Sequence, residues 1–217
     1  TLADLEHPGI VRVLSPIARE GERHYYVMEF LNGESLESLA IDGKYPRTKL
    51  LALTMQAASA LSEVHNRKLL HRDIKPSNIF VTAEMQAKLV DFDLVTGENY
   101  VQMTTKLVGT GIYMPPEAHR LTEKKTPAFD VFSLARTVEF VLRGREPTLE
   151  ELPKLGADLD APEGIKTALF AALHPDPGAR TQSVEAFCAG LQAALAEFET
   201  PRTWEDPDAR TGTLIDV

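Results

Sequence analysis

Residues 71–78 read HRDIKPSN and residues 89–93 read LVDFD, so Asp73, Lys75 and Asn78 stand in one polar run and Asp91 follows after a short apolar stretch. What surrounds this run constrains the fold. Before it, Leu50, Leu53, Ala57, Ala60, Leu61 and Val64 recur at a spacing of about 3.6, which predicts an amphipathic helix over residues 50–65 with Thr48 as its cap. After it, residues 79–81 and 87–90 alternate as a small hairpin. A polar loop clamped between an apolar helix and a hairpin gathers two carboxylates and a carboxamide where one metal-nucleotide site could use them.

The remaining pattern is mostly helical. Residues 131–142, VFSLARTVEFVL, are apolar over most of a helical circumference and stop at Gly144, which predicts a central helix. Residues 165–172 and 184–197 supply further helices, and residues 153–164 form a loop. Ahead of the site, residues 11–15 and 24–30 read as two antiparallel strands joined by a turn at 20–22; Asn32-Gly33 breaks the second, and a short helix follows. Residues 99–110 are polar and aperiodic, and the polar tail from residue 200 offers only Trp204 and the Leu214-Ile215 pair to a groove. Two strands followed mainly by helix make this an α+β chain of mainly helical content.

Charge and cysteine usage exclude several function classes. With 32 acidic against 23 basic side chains and a formal net charge of -9, the chain gives no reason to expect nucleic acid as a partner, and a polyphosphate ligand needs magnesium and local cations to approach it. Cys188 is the only cysteine, so no intrachain disulfide forms and a reducing, cytoplasmic location is expected. No apolar run approaches the roughly 18 residues of a membrane span. The opening TLADLEHPG does not read as a secretory signal, and its lack of an initiator methionine is expected of a processed or truncated chain. The histidines have no ligand-like spacing with cysteine, so no zinc site is expected.

The motifs resemble those of the eukaryotic-like serine/threonine protein kinases over nearly the whole chain. HRDIKPSN resembles that family's catalytic loop and LVDFD its metal-binding motif; GTGIYMPPE, residues 109–117, resembles the end of the activation segment, and DPGAR, residues 176–180, its arginine-bearing partner. The resemblance implies a protein-kinase-like fold: residues 1–30 as a remnant of the N-terminal lobe with two strands and the start of the hinge, 31–198 as the C-terminal lobe, and 199–217 as a tail. It implies ATP and Mg2+ as cofactors and a protein hydroxyl as acceptor. Asp73 is then expected to orient and deprotonate the hydroxyl, Lys75 to neutralise the moving phosphoryl group, and Asn78 and Asp91 to bind the metal. Met28 falls at the gatekeeper position, with Glu29 and Leu31 in the hinge beside adenine. Asp130 is expected to accept backbone hydrogen bonds from the catalytic loop, Glu117 to pair with Arg180, and Thr110 to support the substrate loop. Arg72 before Asp73 implies activation-loop phosphorylation, with Thr104 and Thr105 as acceptors. His71 is expected to pack beneath Phe92.

The chain departs from the family in two places. It contains no GxGxxG, and its first lysine is Lys44, already past the hinge, so the phosphate lid, the strand lysine and its partner glutamate are not found in it. EHPGIV, residues 6–11, resembles the junction that follows the missing glutamate. This implies that the chain alone is inactive, that residues 1–30 dimerise or take a partner chain, and, as the alternative, a pseudokinase or scaffold. Asp93 stands where the family usually has glycine, and its carboxylate would tune the switch there.

Overall fold

Helix α3 (Pro127–Arg143) is the axis of the structure, a computed structural model that describes residues 6–15, 18–20, 23–92, 96–97, 111–120 and 124–199. Its side chains are buried from Ala128 through Leu142. Pro127 occupies the first turn, where its missing N–H costs no helical bond, and Gly144, at φ 71°, ends the helix in the left-handed conformation that glycine adopts without strain.

Three helices wrap α3: α2 (Arg47–Asn66), α4 (Glu163–Ala172) and α5 (Val184–Glu199). The expected stripe of α2 is its buried face. The helix starts earlier than the stripe, and Thr48 lies inside it. Pro46, extended at ψ 143°, turns the chain and offers its carbonyl to the N–H groups of Lys49 and Leu50, so no side-chain cap is used. Cys188 on α5 is half-buried, and burial pushes its thiol up to about 11, which keeps it an unreactive packing group. No helix among the described residues is long and apolar enough to cross a membrane.

A three-stranded antiparallel sheet covers one end of this bundle in the order β3 (Gly33–Ser35), β5 (Ile79–Thr82), β6 (Ala87–Leu89). The hairpin read from residues 79–90 is β5–β6. Gly33, read as a strand breaker, instead opens β3: a Cβ there would lie 2.0 Å from the Val81 carbonyl oxygen, so only glycine lets the two strands come this close. Helix α1 (Leu36–Asp42) follows at once, its first turn capped by Ser35 Oγ, which accepts from the Ser38 N–H at 3.1 Å. β4 (Leu69–Leu70) pairs with β7 (Thr96–Gly97).

At the front, β1 (Ala18–Glu20) and β2 (Arg23–Tyr25) form an antiparallel pair, and the pairing continues only as an isolated bridge between Val13 and Met28. The ladder is interrupted for a chemical reason. Glu29 N–H donates to the Arg12 carbonyl at 2.9 Å and Leu14 N–H to the Val27 carbonyl at 2.7 Å, as antiparallel strands require. The return bonds go elsewhere: Arg12 N–H donates to Glu29 Oε1 at 2.9 Å and Val27 N–H to Ser15 Oγ at 3.0 Å. Two side-chain oxygens thus replace two backbone carbonyls.

Candidate active site

The loop at residues 71–78 is held from below by one carboxylate. Asp130, in the first turn of α3 and fully buried, accepts the His71 N–H and His65 Nε2 at Oδ2 and the Arg72 N–H at Oδ1, each at 2.8 Å. Burial alone would raise its pKa, but the hydrogen bond from His65, the fields of His65 and His71 and the Arg72 N–H together hold the carboxyl below its ordinary range. This anchorage fixes Arg72 at φ 68°, a left-handed conformation that costs a non-glycine residue about 1–2 kcal/mol.

Asp73 is presented above that anchor, nearly buried. Its Oδ2 accepts from Lys75 Nζ at 2.8 Å and from Asn78 Nδ2 at 2.9 Å, and Asn78 Nδ2 also donates to the Asp73 carbonyl at 2.9 Å. Both Asn78 contacts are to acceptors, which fixes the amide nitrogen toward Asp73 and turns Oδ1 away from it. Among the described residues both donors to the carboxylate meet Oδ2, which leaves Oδ1 to receive a hydroxyl. Asp73, Lys75 and Asn78 therefore form one cluster.

The β5–β6 hairpin ties the residue before Asp91 to Asn78. Asn78 immediately precedes β5, Asp91 stands just beyond β6, and the Val90 N–H donates to the Asn78 carbonyl at 3.0 Å. Asp91 is half-buried and left-handed at φ 60°, a conformation aspartate tolerates better than most residues. Phe92 is buried against His71, ring centroids 4.7 Å apart at 54°. Burial pushes the His71 pKa down, against the fields of Asp130 and Asp73 and the Val90 backbone; its Nδ1 accepts the Asp73 N–H at 3.4 Å, so the hydrogen sits on Nε2. The imidazole is thus a neutral packing group under Phe92.

One carboxylate and one amide oxygen, with Lys75 nearby, fit a magnesium ion that takes its other ligands from phosphate and water. Among the described residues no group of three or more His, Cys, Asp or Glu stands together as a metal cage.

The segment that follows is tied down by charge. Arg180 Nη1 and Nη2 donate to Glu117 Oε1 and Oε2 at 2.6 and 2.9 Å, with both side chains buried, and Arg180 also donates to the Ala128 and His174 carbonyls. The sequence reading missed a second anchor: buried Lys125 donates to the carbonyls of Glu117 at 2.6 Å and Arg120 at 2.8 Å. It also missed a charged network on α3. Buried Glu139 accepts from Arg136 and Arg143; Arg143 continues to Glu151 at 3.1 Å and Asp158 at 2.6 Å, and Arg145 reinforces Glu151. Arg145, with the Thr148 N–H, holds the Glu151 carboxyl far below the usual range. The spacings Arg136/Glu139 and Glu139/Arg143 were the signal for it, being i,i+3 and i,i+4. The guanidinium carbons of Arg180 and Arg136 lie over the Phe132 ring, 5.0 and 5.4 Å from its centroid.

Of the residues assigned to the nucleobase, Met28 is 47% exposed, Leu31 is half-buried against the core, and Glu29 is bound on three sides: its N–H by Arg12, its carboxylate by the Arg12 N–H and by Lys88 Nζ at 2.7 Å. Lys88 belongs to β6, three residues before Asp91, so the strand that leads to Asp91 also holds Glu29. Thr104, Thr105, Thr110 and Asp93, and the tail with Trp204 and Leu214-Ile215, lie outside the described residues.

Comparison with known proteins matches this arrangement. A model described as protein kinase domain covers residues 1–186. The serine/threonine-protein kinase PknA of Mycobacterium tuberculosis strain H37Rv is 32% identical over 227 aligned residues, 95% of this chain and 52% of its own length. Serine/threonine-protein kinase pkn2 of Myxococcus xanthus is 30% identical, with 89% of this chain and 26% of the relative covered, and serine/threonine-protein kinase PknG of Mycolicibacterium smegmatis is 31% identical, with 90% and 26%. The chain therefore spans about half the length of PknA and a quarter of the other two. A family match over residues 1–186, on a mostly helical fold with a small remnant of sheet, establishes that the chain belongs to the protein kinase domain family, among its eukaryotic-like serine/threonine members.

Proposed function

We propose that the intact protein is a serine/threonine protein kinase that transfers the γ-phosphate of ATP to a protein hydroxyl. The observation that carries this reading is the Asp73 carboxylate, held at Oδ2 by Lys75 and Asn78, with no donor to Oδ1 among the described residues. Asp73 orients that hydroxyl and takes its proton, and Lys75 offsets charge on the transferred group. Asn78 Oδ1 and Asp91 hold magnesium, which when bound neutralises the nucleotide phosphates. Asp130 is a positioning residue, Glu117 with Arg180 fixes the segment after the activation loop, and Thr104 and Thr105 are phosphate acceptors whose phosphates Arg72 would receive. Residues 1–30 are the remnant of the small lobe, 31–198 the large lobe and 199–217 a tail.

A second reading, a pseudokinase or regulatory domain, applies if the full gene product itself lacks the GxGxxG and strand lysine that these 217 residues do not contain. On either reading the chain alone transfers little phosphate, because none of its residues replaces the phosphate clamp. Exposed Phe30, with Leu14, Tyr25, Val27 and Met28 each about half-exposed, supports dimerisation or partner capture through residues 1–30, which light scattering at micromolar concentration tests.

A transfer assay with radiolabelled ATP on the full gene product, its Asp73→Asn form and the chain alone tests the main reading. Transfer by the full product that Asp73→Asn abolishes is the expected result. An inactive full product favours the regulatory reading, and robust turnover by the chain alone refutes its inactivity.

A further inference from the structure

Lys125 is a lysine that the fold keeps only 4% exposed. Its ammonium donates to the Glu117 carbonyl at 2.6 Å and to the Arg120 carbonyl at 2.8 Å. These carbonyls stand at the end of the 3-10 turn Pro116–His119, which the Arg120 N–H closes by donating to the Glu117 carbonyl at 3.0 Å. The lysine therefore caps the turn, meeting carbonyls that the turn itself leaves short of donors. A charge buried this far cannot exchange its partners for water at little cost, so the lysine and the turn hold each other in place.

Glu117 is consequently gripped twice, Arg180 taking its carboxylate and Lys125 its backbone. The two grips come from different parts of the chain. Arg180 lies between α4 and α5, whereas Lys125 stands just before Thr126, the residue that opens α3, and five residues before Asp130. Asp130 in turn holds the backbone of the loop that bears Asp73. One short stretch of chain thus carries both the catalytic loop and the turn at residues 116–120. Both regions also rest on α3 itself, through Pro76–Asn78 and through Gly111–Tyr113. Gly111, Pro116, His119 and Arg120 are exposed, so the segment is open to a protein acceptor.

We infer that Lys125 is a positioning residue for that acceptor: by locking residues 116–120 to the start of α3, it sets where the acceptor hydroxyl stands relative to Asp73. The inference rests on the kinase reading above and deepens it. Arg180 alone fixes a side chain and leaves the backbone from Glu117 to Arg120 to turn about it. When water takes the phosphoryl group in place of a protein hydroxyl, no such segment is needed. The lysine therefore matters to one acceptor and not to the other.

Two rates measured on the full gene product test this: transfer from ATP to a degenerate serine/threonine peptide library, and hydrolysis of ATP to phosphate without peptide. Lys125→Met is expected to lower peptide transfer about a hundredfold, the cost of a misplaced acceptor, while hydrolysis stays within about twofold. Lys124→Met, at the exposed lysine beside it, leaves both rates unchanged. Where Lys125→Met does not fold, Lys125→Gln, which keeps a donor for one carbonyl, carries the same comparison with a loss of about tenfold in transfer alone. Equal losses of transfer and hydrolysis in a folded variant mark Lys125 as support for the fold only and overturn the proposal. Unchanged transfer in a folded variant also overturns it, and both results leave the kinase reading intact. A wild type that neither transfers nor hydrolyses overturns the kinase reading and this inference with it.

Discussion

The loop at residues 71–78 and the front pairing at residues 12–15 and 27–29 solve the same problem, satisfying irregular backbone, in opposite ways. The loop gives two successive N–H groups to one buried carboxylate that a buried histidine also braces, and it tolerates a left-handed arginine as a result. The front pairing gives its N–H groups to the side chains of Glu29 and Ser15 at a surface where Phe30 is 91% exposed. Backbone bonds made inside the fold are expensive to leave unmet, whereas those at the surface can be exchanged for water. The loop is therefore rigid by construction, and the front strands keep the freedom to adjust.

The contrast is most severely tested at the loop. Asp73→Asn in the full gene product is expected to lower phosphate transfer by roughly a hundredfold to ten-thousandfold while ATP binding persists, read from kcat and from nucleotide titration. Asp130→Ala strands three donors and is expected to cost about 3–5 kcal/mol in urea unfolding, with loss of order at His71 and Arg72. Acid should expose the same region. His71 and Asp130 both have folded pKa values below their ordinary 6.5 and 3.8, so as pH falls the unfolded chain takes up each proton first. Their stabilisation is full above those ordinary values and is lost as pH descends toward the folded ones. His71 acts first: below pH 6.5 stability should fall by up to about 1.4 kcal/mol per pH unit, and His71→Phe should flatten that slope. At the front, Ser15→Ala is expected to cost less than about 1 kcal/mol, because the Val27 N–H can turn to water; a larger loss would erase the contrast.

What could be read from the sequence divides along the same line. The α2 stripe, the β5–β6 hairpin and the axial helix declare themselves through periodicity, which reports burial directly. The cluster of Asp73, Lys75 and Asn78 was readable because those residues are neighbours in the chain, and the contact of Glu117 with Arg180 was reachable only through the family resemblance, since 63 residues separate them. Side-chain substitution for backbone was not readable: nothing in VMEF says that a carboxylate will stand in for its own carbonyl, because that depends on Lys88, far along the chain. The Glu139 network was hidden for another reason. Its charges sit in a helix whose pattern is apolar nearly all round, and periodicity does not distinguish a buried ion pair from an interruption. The strand that Gly33 opens was not readable, because the glycine's need for close approach to Val81 is set by tertiary contact, not by its neighbours.

Phe132 carries the guanidiniums of both Arg180 and Arg136 over its ring and so serves two masters. Arg180 grips Glu117 at the end of residues 111–120; Arg136 bonds Glu139 and the Leu152 carbonyl beyond α3. Withdrawing either cation gives up its contact with the ring that the other shares. Thermal opening should therefore spread through both segments as a single cooperative event, and amide protons on either side of α3 should exchange with a shared free energy.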